Sequence, residues 1–100
     1  MLSIKKTTEF SDWFAKLHLG YQRQIDARLL RIADYAHFGD AKYIGDGVAE
    51  LRWKNGLRIY FCKQDQQTVI LLLGGLKNGQ VKDIKKAKIL IRGYASDRAC

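Results

Sequence analysis

Arg52 and Arg58 flank the short segment Lys54-Asn55-Gly56, and Lys77 lies in the glycine-bounded stretch from Gly74 to Gly79. A guanidinium presents a planar fork of donors and an ammonium three rotatable ones, and phosphate is the natural anion for both. Lys54 sits in the turn itself, Glu50 and Tyr60 stand next but one to the two arginines, and Lys82, Lys85 and Lys86 follow closely on Lys77. No His, Cys, Asp and Glu recur at metal-ligand spacing, and no glycine-rich segment follows a strand and opens a helix with a nucleotide fingerprint. Neither a metal nor another cofactor is therefore expected. His18 and His37 read as structural residues that end two helices, and Trp13, Phe14 and Trp53 as core residues rather than stacking platforms.

Such side chains need a frame. Leu2 to Thr7 alternates as a short strand, and Thr7 or Thr8 can cap the helix after it. Phe10, Trp13, Phe14 and Leu17 recur at helical spacing, Gly20 interrupts, and Tyr21, Ile25, Leu29, Ile32 and Ala36 mark a longer helix that ends before Gly39. Lys42 to Ile44 reads as a short edge strand. Val48 to Trp53, Leu57 to Lys63 and Thr68 to Leu73 are stronger ones, with Gly74-Gly75 ending the last. A final helix from about Gln80 carries Val81, Ile84, Ala87, Ile91 and Tyr94 on one side. The expected fold is α+β, with an N-terminal strand and a two-helix hairpin packed on a small antiparallel sheet and a C-terminal helix beside it. Residues 1–95 are expected to form one domain and 96–100 a flexible tail.

The register of the cationic hairpin follows from side-chain parity. Apolar residues are odd-numbered in Ala49-Glu50-Leu51-Arg52-Trp53 and in Leu57-Arg58-Ile59-Tyr60-Phe61. A two-residue Asn-Gly turn would set Arg52 opposite Ile59 and put charge beside the core. A three-residue loop, Lys54-Asn55-Gly56 with Gly56 left-handed, pairs Trp53 with Leu57 and Leu51 with Ile59. It also sets Arg52 against Arg58 and Glu50 against Tyr60 on the face away from the core. Two readings stay open for the arginines: a pair of forks for an anion, or solvated residues each partnered by an acid such as Glu50. Lys77 can join the first, because its loop leaves the sheet beside the hairpin.

Eighteen Lys and Arg against ten Asp and Glu give a formal charge of +8, the electrostatic footprint of a polyanionic partner or of a merely soluble cationic protein. Cys62 and Cys100 suggest neither a disulfide framework nor a metal knuckle and are expected as thiols. Thr68 to Leu73, the longest strongly apolar run, is far too short to cross a bilayer, and the N-terminus has no apolar signal segment. A cytoplasmic protein without a membrane partner is expected.

Three stretches resemble known proteins: residues 38–52, with Gly-Asp-x-Lys and Gly-Val-x-Glu-Leu-Arg; Leu57 to Phe61; and residues 71–87, with Gly-Gly-x-Lys-x-x-Gln-x-x-Asp-Ile. At these spacings, and with this order of elements, nearly the whole chain resembles the RelE/ParE toxin superfamily and within it the HigB-like addiction module killers. It departs from them in its short hairpin loop and in Leu76, where they usually carry Asp. The resemblance implies the toxin of a type II toxin–antitoxin system, a metal-independent, ribosome-dependent mRNA endonuclease that inhibits translation. Such enzymes promote attack of a ribose 2′-OH on the neighbouring phosphate, which needs a base, cations for the developing charge and an acid for the leaving oxygen. By matching position Arg52, Arg58 and Lys77 supply the cations. The acid and base have no matching residue, and Tyr60, Lys54 or Lys82 can stand in, so the expected catalytic set is Arg52, Arg58, Lys77 and Tyr60, with Lys54, Lys82, Lys85 and Lys86 as the expected RNA-binding lysines. The implied partners are the ribosome, mRNA and a cognate antitoxin, of the helix-turn-helix, HigA-like kind. The rivals are a ParE-like inhibitor of DNA gyrase, which shares the fold and cleaves no RNA, and a noncatalytic RNA-binding module.

Overall fold

The computed structural model describes residues 1–96. In chain order the elements are β1 (Ser3–Lys6), α1 (Thr8–Ala15), α2 (Leu19–Tyr35), β2 (Ala41–Gly45), β3 (Val48–Arg52), β4 (Leu57–Lys63), β5 (Thr68–Leu76), a single 3-10 turn (Lys77–Gly79) and α3 (Gln80–Ser96). The five strands form one sheet in the order β1-β5-β4-β3-β2. The α+β class expected from the sequence is the observed one. The sheet is mixed rather than wholly antiparallel, because β1 joins β5 in parallel, with Ile4 beside Val69 and Lys6 beside Leu71.

Two local devices fix the entry of the helices. Thr7 caps α1: its Oγ1 accepts from Phe10 N at 2.9 Å and donates to Leu72 O at 2.7 Å, which binds the helix start to β5. The break before α2 falls at Lys16–His18, not at Gly20, which lies inside the first turn of α2. His18 thus opens α2 instead of closing the helix before it, with Nδ1 accepting from Gly20 N at 3.1 Å.

The sheet is covered on both faces. Phe10 of α1 and Ile25, Leu29 and Ile32 of α2 pack on Leu51, Leu57, Ile59 and Phe61. On the opposite face Ala87 and Ile91 of α3 pack with Val48, Tyr60, Cys62, Ile70 and Leu72. Each fully buried aliphatic or aromatic side chain in these layers contributes roughly 1.5–3 kcal/mol. The face of the hairpin read from the sequence as lying away from the core is therefore the floor of a second core. A bulge in β5 serves both layers: Tyr60 pairs with Leu73 and Phe61 with Leu71, which leaves Leu72 as the extra residue and puts Leu72 and Leu73 on the same side.

Gly74-Gly75 does not end β5. The strand runs on to Leu76, with Gly74 opposite Ile59 and Gly75 opposite Arg58. A Cβ on Gly74 would lie 2.1 Å from the Trp13 ring, and one on Gly75 would lie 2.0 Å from Asp83 Oδ2. The two glycines admit α1 on one face and α3 on the other, which is why a strand interior carries them. Cys62 is disulfide-bonded, so the expectation of a thiol fails there. Of the tail expected over 96–100, Ser96 is instead the last residue of α3, and residues 97–100, Cys100 included, lie outside the described residues. Among the described residues no helix is long and apolar enough to cross a membrane.

Candidate nucleic-acid interface

The hairpin has the register that parity predicts. Leu51 pairs with Ile59, Arg52 with Arg58 and Glu50 with Tyr60. Trp53 N donates to Leu57 O and Gly56 N to Trp53 O, both at 3.1 Å, around a Gly56 with φ of 99°. Asn55 Nδ2 donates to Gln24 Oε1 at 2.8 Å, tying the loop to α2. Lys77 N donates to Gly56 O at 2.8 Å, so the Lys77 turn lies beside the hairpin loop.

Arg52 and Arg58 face each other, yet their surroundings differ. Arg52 is part-exposed and gives Asp40 Oδ1 both Nη2, at 2.8 Å, and Nε, at 3.2 Å. That hydrogen bond, with the charge behind it, holds the Asp40 carboxyl below its ordinary range. Arg58 is 9% exposed, and its Nη1 donates to Trp53 O at 3.1 Å and to Leu57 O at 2.9 Å, the two ends of the hairpin loop. Its Nε lies 3.9 Å from the buried Glu50 carboxylate, which accepts from Gln80 Nε2 at 2.7 Å. Tyr60 is fully buried beneath α3, and among the described residues no group meets its hydroxyl in hydrogen-bond geometry. Burial first, then the carboxylates of Glu50 and Asp83, push its phenol well above its usual value. Among the residues expected to be catalytic, the structure thus leaves Arg52 and Lys77 at the surface and puts Arg58 and Tyr60 under the first turn of α3.

Three adjoining cavities carry the exposed cations. The first, about 430 Å³, lies between α2 and the end of β3 and is lined by Arg28, Arg31, Asp40, Arg52, Trp53 and Lys54. The second, about 380 Å³, shares Lys54 and adds Tyr21, Leu76, Lys77 and Asn78. The third, about 580 Å³, shares Asn78 and runs along α3 past Lys82, Lys85 and Lys86, with Val81 and Ile89 exposed between them. Together they form a basic track around the hairpin tip that joins all the lysines expected to bind RNA to Arg52 and Lys77. A further, mostly apolar hollow of about 520 Å³ beside β2 is lined by Phe38, Tyr43 and Phe61 among others, with Lys42 and Lys63 as its cations and no carboxylate in its lining. Among the described residues no group of three or more His, Cys, Asp and Glu is placed to hold a metal ion.

Arg28, Arg31 and Asp40 were not singled out by the sequence. Arg28 and Arg31 look like the polar side of an amphipathic helix, and nothing local says that this side overhangs the end of β3. The one available signal was Asp40 in the Gly-Asp-x-Lys string, twelve residues before the arginine it pairs with. Trp53 packs against the α2-side core as expected, with the Arg28 guanidinium 4.4 Å above its ring.

A family profile of phage-derived Gp49-like proteins (DUF891) matches residues 12–92. An uncharacterized protein of Haemophilus influenzae is 44% identical over 92 residues, which cover 89% of this chain and 92% of that protein. Among solved structures, the isolated E. coli RelE toxin is similar with a TM-score of 0.65 at 15% identity, over 84% of this chain and 99% of that one. The E. coli RelBE toxin–antitoxin complex contains a chain similar at a TM-score of 0.65 and 14% identity, over 76% of this chain and 96% of that one. At such identities the likeness speaks for the fold.

Proposed function

This chain belongs to the phage-derived Gp49-like family and has the RelE fold of the RelE/ParE superfamily, and from that premise we propose that it is the toxin of a type II toxin–antitoxin pair. In this reading it is a metal-independent mRNA endonuclease of the HigB-like kind that works on the ribosome in the cytoplasm. The observation that carries the reading is the basic track: Arg52, Lys54 and Lys77 crowd the hairpin tip, and Lys82, Lys85 and Lys86 continue from it along α3. A row of cations along connected hollows suits a single strand, whose phosphates recur along its length.

Arg52 and Lys77 are the groups that touch the reacting phosphate and stabilise its developing charge. Arg58 acts through the loop, since it holds both loop ends and so fixes where Lys54 and Lys77 stand. The cognate antitoxin, a helix-turn-helix protein of the HigA-like kind, covers the track and silences the toxin.

The burial of Tyr60 favours a second reading, a noncatalytic RNA-binding module, because this candidate acid or base has no path to a substrate while α3 covers it. The deciding experiment induces the protein in bacteria without antitoxin, maps new mRNA 5′ ends and assays DNA supercoiling in parallel. New ends inside translated frames with supercoiling intact are expected. Arrested growth with intact mRNA and blocked gyrase would overturn the endonuclease in favour of the ParE-like activity. Intact mRNA with unchanged supercoiling would leave the noncatalytic module.

A further inference from the structure

The first cavity of the track already contains an anion, and it belongs to the protein. Arg28, Arg31, Arg52 and Lys54 line it against a single carboxylate, that of Asp40. The donors of Arg28 are taken up by main-chain carbonyls: Phe38 O receives Nε at 3.0 Å and Nη2 at 2.8 Å, Asp40 O receives Nη2 at 2.7 Å, and Arg52 O receives Nη1. Neutral carbonyls satisfy its hydrogen bonds and leave its charge in place. Arg31, one turn further along α2, and Lys54 have no side-chain hydrogen bond or ion pair among the described residues. The cavity therefore carries more positive charge than its one acid can balance.

Asp40 is placed to be displaced. Its main chain is fixed, since its carbonyl accepts from Arg52 N at 2.9 Å as well as from Arg28. Its carboxylate remains 60% exposed, and a single oxygen, Oδ1, takes both donors of the Arg52 fork, as one phosphoryl oxygen would. We propose that this cavity is a phosphate subsite for single-stranded RNA in which Asp40 is a resident stand-in, holding Arg52 in its working position until a phosphodiester takes its place. Exchange of one anion for another on Arg52 is close to neutral, so the gain on binding comes from Arg31 and Lys54. Asp40 thereby discriminates against ligands too small to reach those two cations as well as Arg52.

The inference rests on the reading of this chain as an RNA-binding toxin and is tested by binding alone, without ribosomes or cleavage. The full chain is titrated against a short fluorescent oligouridylate at several salt concentrations, with circular dichroism to verify that each variant is folded. Asp40→Asn is expected to bind about three- to tenfold more tightly and Arg31→Ala more weakly by a similar factor. The slope of log affinity against log salt is expected to fall in magnitude by about 0.7 for Arg31→Ala, the loss of one phosphate contact on a single strand. An Arg31→Ala protein that binds as the parent does, or an Asp40→Asn protein that binds no more tightly, would overturn the proposal. So would tighter binding of a glutamate peptide of equal charge than of the oligouridylate, which would assign the cavity to a protein ligand. If binding follows the expected pattern while induced cells show no new mRNA ends, the endonuclease reading fails and the subsite stands. If mRNA is cut while Arg31 and Asp40 have no effect on binding, the subsite fails alone.

Discussion

Two arginines that face each other across one hairpin do different physical work because one meets solvent and the other meets the underside of a helix. Arg52 can exchange its carboxylate partner for another anion, whereas Arg58 bridges the carbonyls at the loop ends and lies against a Glu50 that is 1% exposed. Removing Arg58 leaves Glu50 buried without a cation, a change that costs about 3 kcal/mol when a buried pair is broken. Urea unfolding is expected to show Arg58→Ala destabilised by about that amount and Arg52→Ala nearly unchanged, since exposed ion pairs contribute little. The double variant Glu50→Leu with Arg58→Met is expected to regain much of the loss, because apolar replacement of both partners removes the buried charge. An Arg58→Ala protein as stable as the parent would show that Glu50 is satisfied by Gln80 alone. At this scale the sequence was legible where parity decides, as in the opposition of Arg52 to Arg58. It was silent where tertiary contact decides: the same alternation that put Tyr60 beside Glu50 could not tell that α3 would roof them.

At the scale of elements, the deciding feature is the pair of glycines inside β5. In sequence Gly-Gly after an apolar run reads as a strand end, because glycine weakens a strand and commonly marks a turn. Here it marks two close approaches on opposite faces, by the Trp13 ring of α1 and by Asp83 of α3. No periodicity argument could separate these cases, since the reason for the glycines lies sixty residues upstream and eight downstream. The mixed sheet escaped for a similar cause: the alternation of β1 announces a strand, while its parallel partner is chosen by where α1 and α2 return the chain. Gly74→Ala is expected to cost about 1–3 kcal/mol through overpacking against Trp13. Combining it with Trp13→Leu is expected to cost less than the two changes do singly, because the smaller side chain vacates the space that the methyl needs. Thermal unfolding of the four proteins gives the coupling, and strict additivity would mean that α1 does not hold Trp13 against Gly74.

For the whole molecule the question is how much of the +8 charge acts as one surface. Composition could not answer it, because dispersed cations and a basic track have the same sum. The three adjoining cavities supply a count instead. If only the hairpin end engages RNA, the phosphate contacts come from Arg31, Arg52, Lys54 and Lys77, and the slope of log affinity against log salt is expected near about −3 for a single strand. If Lys82, Lys85 and Lys86 belong to the same surface, seven cations take part and the slope steepens to about −5. The measured quantity is the salt dependence of binding to an oligouridylate long enough to span the track, with the triple variant Lys82→Ala, Lys85→Ala, Lys86→Ala as control. A continuous track predicts the steeper slope for the parent and a return to about −3 for the triple variant. Equal slopes for the two proteins would confine RNA to the hairpin end. They would leave the lysines of α3, with Val81 and Ile89 exposed among them, as a solvated face that happens to adjoin the site.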